Sequence, residues 1–190
     1  MAATMTSYDT VIGLDLSLTA TGIAVSTPGL APWCGVIESS GKKGDSWATR
    51  YKRLGAITYR IMPVIPECAL VVVEAPSYGS VTGSQHDRSG LWWMMYDLLA
   101  GTTRTVLPVE PTIRAKYATG KGNAGKDAVL AAAVRRYPHI DINDNNEADA
   151  VILMAIGCRI IGAPIDDPLP AANLAALDKL SLPKGINHAA

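Results

Sequence analysis

The 190-residue chain carries 17 Lys and Arg against 17 Asp and Glu, with 48% apolar and 18% charged residues. This composition fits one soluble globular domain with a sizeable core, argues against disorder, and lacks the strongly basic balance that would point directly to nucleic acid. Its apolar runs are too short to span a bilayer, and residues 1–8 have neither the basic nor the apolar region of a signal peptide. Cys34, Cys68 and Cys158 are odd in number and scattered, which argues against a disulfide framework or zinc site and suits a reducing cytoplasm.

In chain order, residues 10–16 (TVIGLDL) predict a first strand, with 22–26 and 33–38 as the second and third, separated by Pro28, Gly29 and Pro32. Such close spacing suggests an antiparallel meander. Residues 46–65 place Trp47, Tyr51, Leu54, Ile57, Ile61 and Val64 on one helical stripe. The valine-rich run 69–74 (ALVVVE) predicts a strand buried on both faces, followed by a Gly/Ser-rich stretch over 76–90. Residues 91–99 (LWWMMYDLL) predict a helix, 104–109 a fifth strand, and 111–117 a short helix with proline in its first turn. After a glycine-rich basic loop at 119–125, helices are expected over 126–137 and 147–161, with a modest one over 171–180. The order predicts an α/β fold with a mixed sheet of about five strands flanked by helices.

Charge is unevenly distributed along the chain. Residues 104–136 carry seven basic side chains against Glu110 and Asp127, whereas 139–167 carry six acids against Arg159. A basic segment beside an acidic one can bind a polyanion and a metal together, although two solvated faces give the same pattern.

Within the predicted strands, Asp15 interrupts an apolar run and Glu74 ends one. An ionised carboxylate in such a position is costly unless it reaches water, a partner or a cation. In open α/β sheets functional groups gather at strand ends, so two carboxylates on adjacent strands can share a divalent ion. Asp149 adds a third, near the start of an apolar helix, where an acid also complements the helix dipole.

These residues carry a family resemblance. VIGLDLSLTATGIAVS (D-x-S-x-T-x-T-G), VVVEAPSYG, GKGNAGKDAV and NNEADAVILMAIG follow one another from Val11 to about Gly162. In that order they resemble the motifs of the RuvC-type Holliday junction resolvases, those of bacteriophages most closely. The resemblance implies an RNase H-like nuclease domain over residues 9–162, with 163–190 a proline-rich extension bearing a short helix. It implies a homodimeric endodeoxyribonuclease acting on branched DNA, with Asp15, Glu74 and Asp149 binding two Mg²⁺ ions, for which Mn²⁺ substitutes. Phosphodiester hydrolysis would then leave a 5′-phosphate and a 3′-hydroxyl. The implied setting is the cytoplasm of a bacterium or phage-infected host.

Two departures stand out. Leu16-Ser17 follow the first aspartate where the family often has Pro-Gly. Asn146 stands three residues before Asp149, where the family often has another ligand. Glu147 is preferred over Asn146 as the fourth catalytic residue, because a carboxylate suits Mg²⁺ better than an amide; this requires the helix to begin there.

The resemblance places Lys116 and Lys126 near the scissile phosphate and suggests Tyr78 as the stacking group beside the junction; Arg114 and Lys121, in the same basic segment, are further candidate DNA contacts. Gln85, His86 and Arg88 are weaker contacts. A nucleotide-binding P-loop is excluded, since GNAGK is followed by Asp127 rather than Ser or Thr. The contiguous Trp92, Trp93, Met94, Met95 and Tyr96 cover every face of the 91–99 helix, which predicts one side in the core and the other in a twofold dimer, with Met95 or Trp93 facing the partner. Three alternatives have different signatures: a flap or fork nuclease of the same fold, a non-catalytic junction-binding protein, and an actin-like kinase, for which the chain is too short.

Overall fold

The computed structural model describes residues 8–76 and 84–183. Its strands are β1 (Val11–Asp15), β2 (Ala20–Ser26), β3 (Trp33–Glu38), β4 (Leu70–Glu74) and β5 (Thr105–Val109). They form one five-stranded sheet in the order β3-β2-β1-β4-β5. The first three pair antiparallel as a meander, while β4 runs parallel to β1 and β5 parallel to β4. This is the expected mixed sheet flanked by helices.

The period of two along each strand decides what meets on each face. Ile12 and Leu14 of β1, with Val71 and Val73 of β4, pack under α1 (Trp47–Ile61) and α2 (Gln85–Ala100). Val11 of β1, with Leu70 and Val72 of β4, packs on the other face under α3 (Pro111–Thr119), α4 (Lys126–Arg136) and α5 (Asn145–Ile160). By the same alternation Asp15 and Glu74 belong to the α5 face. The β1–β4 register runs from Val11 opposite Leu70 to Leu14 opposite Val73, so its next step brings Asp15 beside Glu74.

Helix α5 lies directly on the sheet. Every residue from Glu147 to Cys158 is buried. Glycines make this approach possible: a Cβ at Gly13 would overlap the Ala150 carbonyl, and one at Gly22 would overlap the Asn146 carbonyl. Gly22 is the register partner of Asp15, so one of these two close approaches of helix to sheet falls next to the acid. Since backbone cannot yield as a side-chain tip can, Gly13→Ala is expected to destabilise the fold by about 3 kcal/mol, at the upper end for overpacking. Urea denaturation would read this as a lower midpoint with an unchanged slope.

Three boundaries differ from the sequence reading. Helix α2 begins at Gln85, well inside the stretch expected to be loop. Its polar first turn is held by tertiary contact, Arg50 forking onto Asp87, and Gly90 packs close to Leu54. Helix α5 begins at Asn145 rather than Glu147, because Asp144 caps it by accepting from the Glu147 N–H at 2.8 Å. The expected helix over 171–180 is only α6 (Ala171–Leu174) and a 3₁₀ turn, Leu177–Lys179.

Within α2, Trp92 and Met95 are buried and Trp93 is 63% exposed, so one tryptophan faces the core and its neighbour faces outward. Met95 is therefore a core residue, which corrects its expected place on a partner-facing surface. Among the described residues no helix is long and apolar enough to cross a membrane.

Candidate metal centre

Asp15, Glu74 and Asp149 converge from the ends of two parallel strands and the first turns of α5. Each offers a carboxylate oxygen, and these oxygens lie within 4.8 Å of one another. Glu74 is fixed from behind by Trp92, whose Nε1 donates to the Glu74 carbonyl at 2.9 Å. Asp149 is held by the seating of α5 on Gly13 and Gly22.

Charge in this group is unbalanced. Among the described residues Arg114 is the cation bonded to the group, donating through Nε to Glu74 Oε2 at 2.5 Å and through Nη1 to Asp149 Oδ1. Two of the three carboxylates thus share one guanidinium. Burial pushes the Asp15 carboxyl up to about 7, and the negative charge of Glu74 adds to the shift. Arg114 and Lys126 pull the other way, and Asp144 contributes a smaller upward push. The donor set is all carboxylate oxygen, which suits a hard divalent cation such as Mg²⁺. A cation would relieve both the crowding of like charge and the burial of Asp15.

The remaining predicted residues are divided. Lys126, at the start of α4, lies close enough to Asp15 for its charge to be felt there. Lys116 donates to the Ala175 carbonyl at 3.4 Å and so is turned toward the C-terminal segment. Lys121 lines a separate groove of about 900 Å³, with Arg135, Ala128, Ala132, Leu169 and Asn173; none of the three acids lines it. Tyr78 lies outside the described residues.

Glu147 is not brought to the acids. It is 9% exposed, and its carboxylate accepts from the Asn143 N–H at 2.6 Å. The reason is rotational: in a regular helix from Asn145, residues 147 and 149 do not share a face. Glu147 serves the helix start, and the expectation of it as a fourth catalytic carboxylate is corrected accordingly.

Arg114 was grouped with the DNA contacts by sequence, yet it is 7% exposed and bound to two of the acids. One signal of this is in the sequence: Ile113, Ala115, Tyr117 and Ala118 surround Arg114 with apolar residues on a short helix, and all four are buried. A second missed feature is Asp166, whose side chain is fully buried and accepts from Tyr117 at 2.8 Å, Tyr137 at 2.9 Å, and Arg159.

No protein-family model and no curated protein matches the sequence. Among solved structures, Thermus thermophilus RuvC aligns with a TM-score of 0.55 at 20% identity, covering 84% of this chain and 99% of that one. T. thermophilus RuvC in complex with Holliday junction substrate aligns with a TM-score of 0.59 at 18% identity, covering 85% and 100%. At this identity the likeness is one of fold. The molecule therefore has the RuvC-type, RNase H-like fold, and three clustered carboxylates lie at its strand ends.

Proposed function

We propose that the chain is a divalent-metal-dependent endodeoxyribonuclease that resolves four-way DNA junctions, leaving 5′-phosphate and 3′-hydroxyl ends. The observation that carries this reading is the convergence of Asp15, Glu74 and Asp149 from three separate elements. It is supported by the likeness in fold to a RuvC bound to Holliday junction substrate.

In this reading Asp15, Glu74 and Asp149 hold two Mg²⁺ ions, or Mn²⁺ in their place. Bound metal supplies Lewis acidity toward the phosphodiester and activates water at neutral pH. The protein's own contribution is positioning. Gly13 and Gly22 let α5 bring Asp149 against the strand ends, and Trp92 fixes the end of β4. Lys126, whose charge reaches Asp15, is available to a phosphate, whereas Lys116 and Lys121, turned elsewhere, would serve more distant DNA backbone.

A panel of labelled four-way junctions, flaps and forks tests the assignment. Preferential Mg²⁺-dependent cutting of the four-way junction is expected; equal or faster cutting of flaps and forks would reassign the chain as a broader debranching nuclease.

We further propose a homodimer through α2, because Trp93 is 63% exposed on its outward side. A twofold dimer presents two active sites to a twofold substrate. Trp93→Glu is expected to convert a micromolar dimer into folded monomers in sedimentation, with loss of paired incision. A wild-type monomer that makes paired cuts contradicts the dimer.

A further inference from the structure

Two of the three carboxylates at the metal centre are already engaged by a cation belonging to the chain. Arg114 bridges Glu74 Oε2 and Asp149 Oδ1, and acts on Asp15 only through its charge. Its side chain is 9% exposed, and the Asp149 side chain 6%. These are two of the three carboxylates that a divalent ion would take.

We infer that Arg114 is a resident counter-ion which a divalent cation must displace, so that this side chain sets the threshold of metal binding. The inference rests on the metal-centre reading above. The guanidinium carries a fixed positive charge. A divalent ion on Glu74 and Asp149 with Arg114 in place would put like charges in contact in a poorly hydrated site. The two cations therefore alternate. Helix α3 cannot move aside, because Ile113, Ala115, Tyr117 and Ala118 are packed in the core and Tyr117 is pinned to Asp166. The exchange then falls to the Arg114 side chain alone. Asp15, left outside the bridge, offers an incoming cation its first carboxylate.

This arrangement lowers apparent metal affinity, because only the fraction of molecules with Arg114 released is competent to bind. In return the metal-free centre keeps its acids together, since an uncompensated buried pair would be strongly destabilising.

The test uses the full chain without DNA and Mn²⁺ as the probe, followed by electron paramagnetic resonance. Arg114→Met is expected to bind Mn²⁺ at least about tenfold more tightly than wild type. The same variant should melt lower without metal and gain more from Mn²⁺. A folded Arg114→Met protein with unchanged Mn²⁺ affinity overturns the inference. Should that variant fail to fold, the wild type answers alone. The Arg114 Nε–H resonance should be protected from exchange without metal, and should shift and exchange freely at saturating Mg²⁺; a resonance unmoved by saturating Mg²⁺ overturns the inference. Neither readout involves cleavage. Tighter Mn²⁺ binding without junction cutting would sustain the counter-ion and refute the nuclease, and junction cutting with an unmoved Arg114 would do the reverse.

Discussion

Asp15→Asn is expected to abolish Mg²⁺-dependent cleavage, by at least about a thousandfold, while leaving junction binding largely intact. The size follows from the several kcal/mol a metal contributes to transition-state charge stabilisation, each 1.36 kcal/mol being tenfold. Binding survives because affinity for DNA comes mainly from basic groups on phosphates, to which Asp15 does not belong. The same variant should behave distinctively without metal. The Asp15 carboxyl, ordinarily at 3.8, is pushed up to about 7 by burial and by Glu74. A group whose value is raised on folding favours the folded state below its unfolded value, and that contribution disappears as pH rises through the folded one. Metal-free wild type should therefore lose stability between about pH 4 and 7, and Asp15→Asn should flatten that part of the profile. Thermal melts across this range in chelator, with cleavage and gel-shift assays alongside, check all three statements.

Asp166→Ala is expected to destabilise the protein by about 3–5 kcal/mol, the range for removing one partner of a buried ion pair. Its carboxylate is fully buried and accepts from Tyr117, Tyr137 and Arg159, so truncation takes the acceptor from two hydroxyls and removes the charged partner of Arg159, which keeps the Tyr117 hydroxyl and the Asp167 carbonyl. Burial and the neighbouring Asp166 charge already hold both tyrosine hydroxyls firmly protonated, so they remain donors in need of an acceptor. The effect should reach the metal centre. Tyr117 lies on α3 with Arg114 and Lys116, and Asn173 of α6 donates to the Tyr117 carbonyl at 2.8 Å. Urea denaturation gives the stability loss, and Mn²⁺ affinity reports whether α3 has shifted. Removing residues 163–183 should be comparably severe, since the segment supplies both Asp166 and Asn173.

Much of this was legible from sequence where one local rule dominated. An aspartate ending a five-residue strand whose alternate positions are Val11 and Gly13 must share their face, and the same period places Glu74 with Leu70 and Val72. The register of β1 on β4 then joins the two acids. Glu147 was misjudged because its direction depends on where α5 starts, which the Asp144 cap decides. The inward direction of Arg114 is hidden in the sequence because charge suggests exposure. Helix α3 is covered on more than one side, by α4 and α5 and by α6, so it lacks the polar stripe that marks a solvent face. Asp166 looked like one more surface acid in an acidic run; only the return of the chain over α3 encloses it. The early start of α2 was hidden by Gly and Ser residues whose weak helix preference is overridden by the Arg50–Asp87 pair and packing on Leu54.

The most direct test of the central claim is strand cleavage of an immobile four-way junction by wild-type protein, with Mg²⁺ and with chelator, beside Asp15→Asn. The account predicts cuts in opposed strands with Mg²⁺, ligatable 5′-phosphate ends, and no cutting in chelator or by the variant. A junction bound tightly by wild type yet left intact at every Mg²⁺ and Mn²⁺ concentration would contradict it.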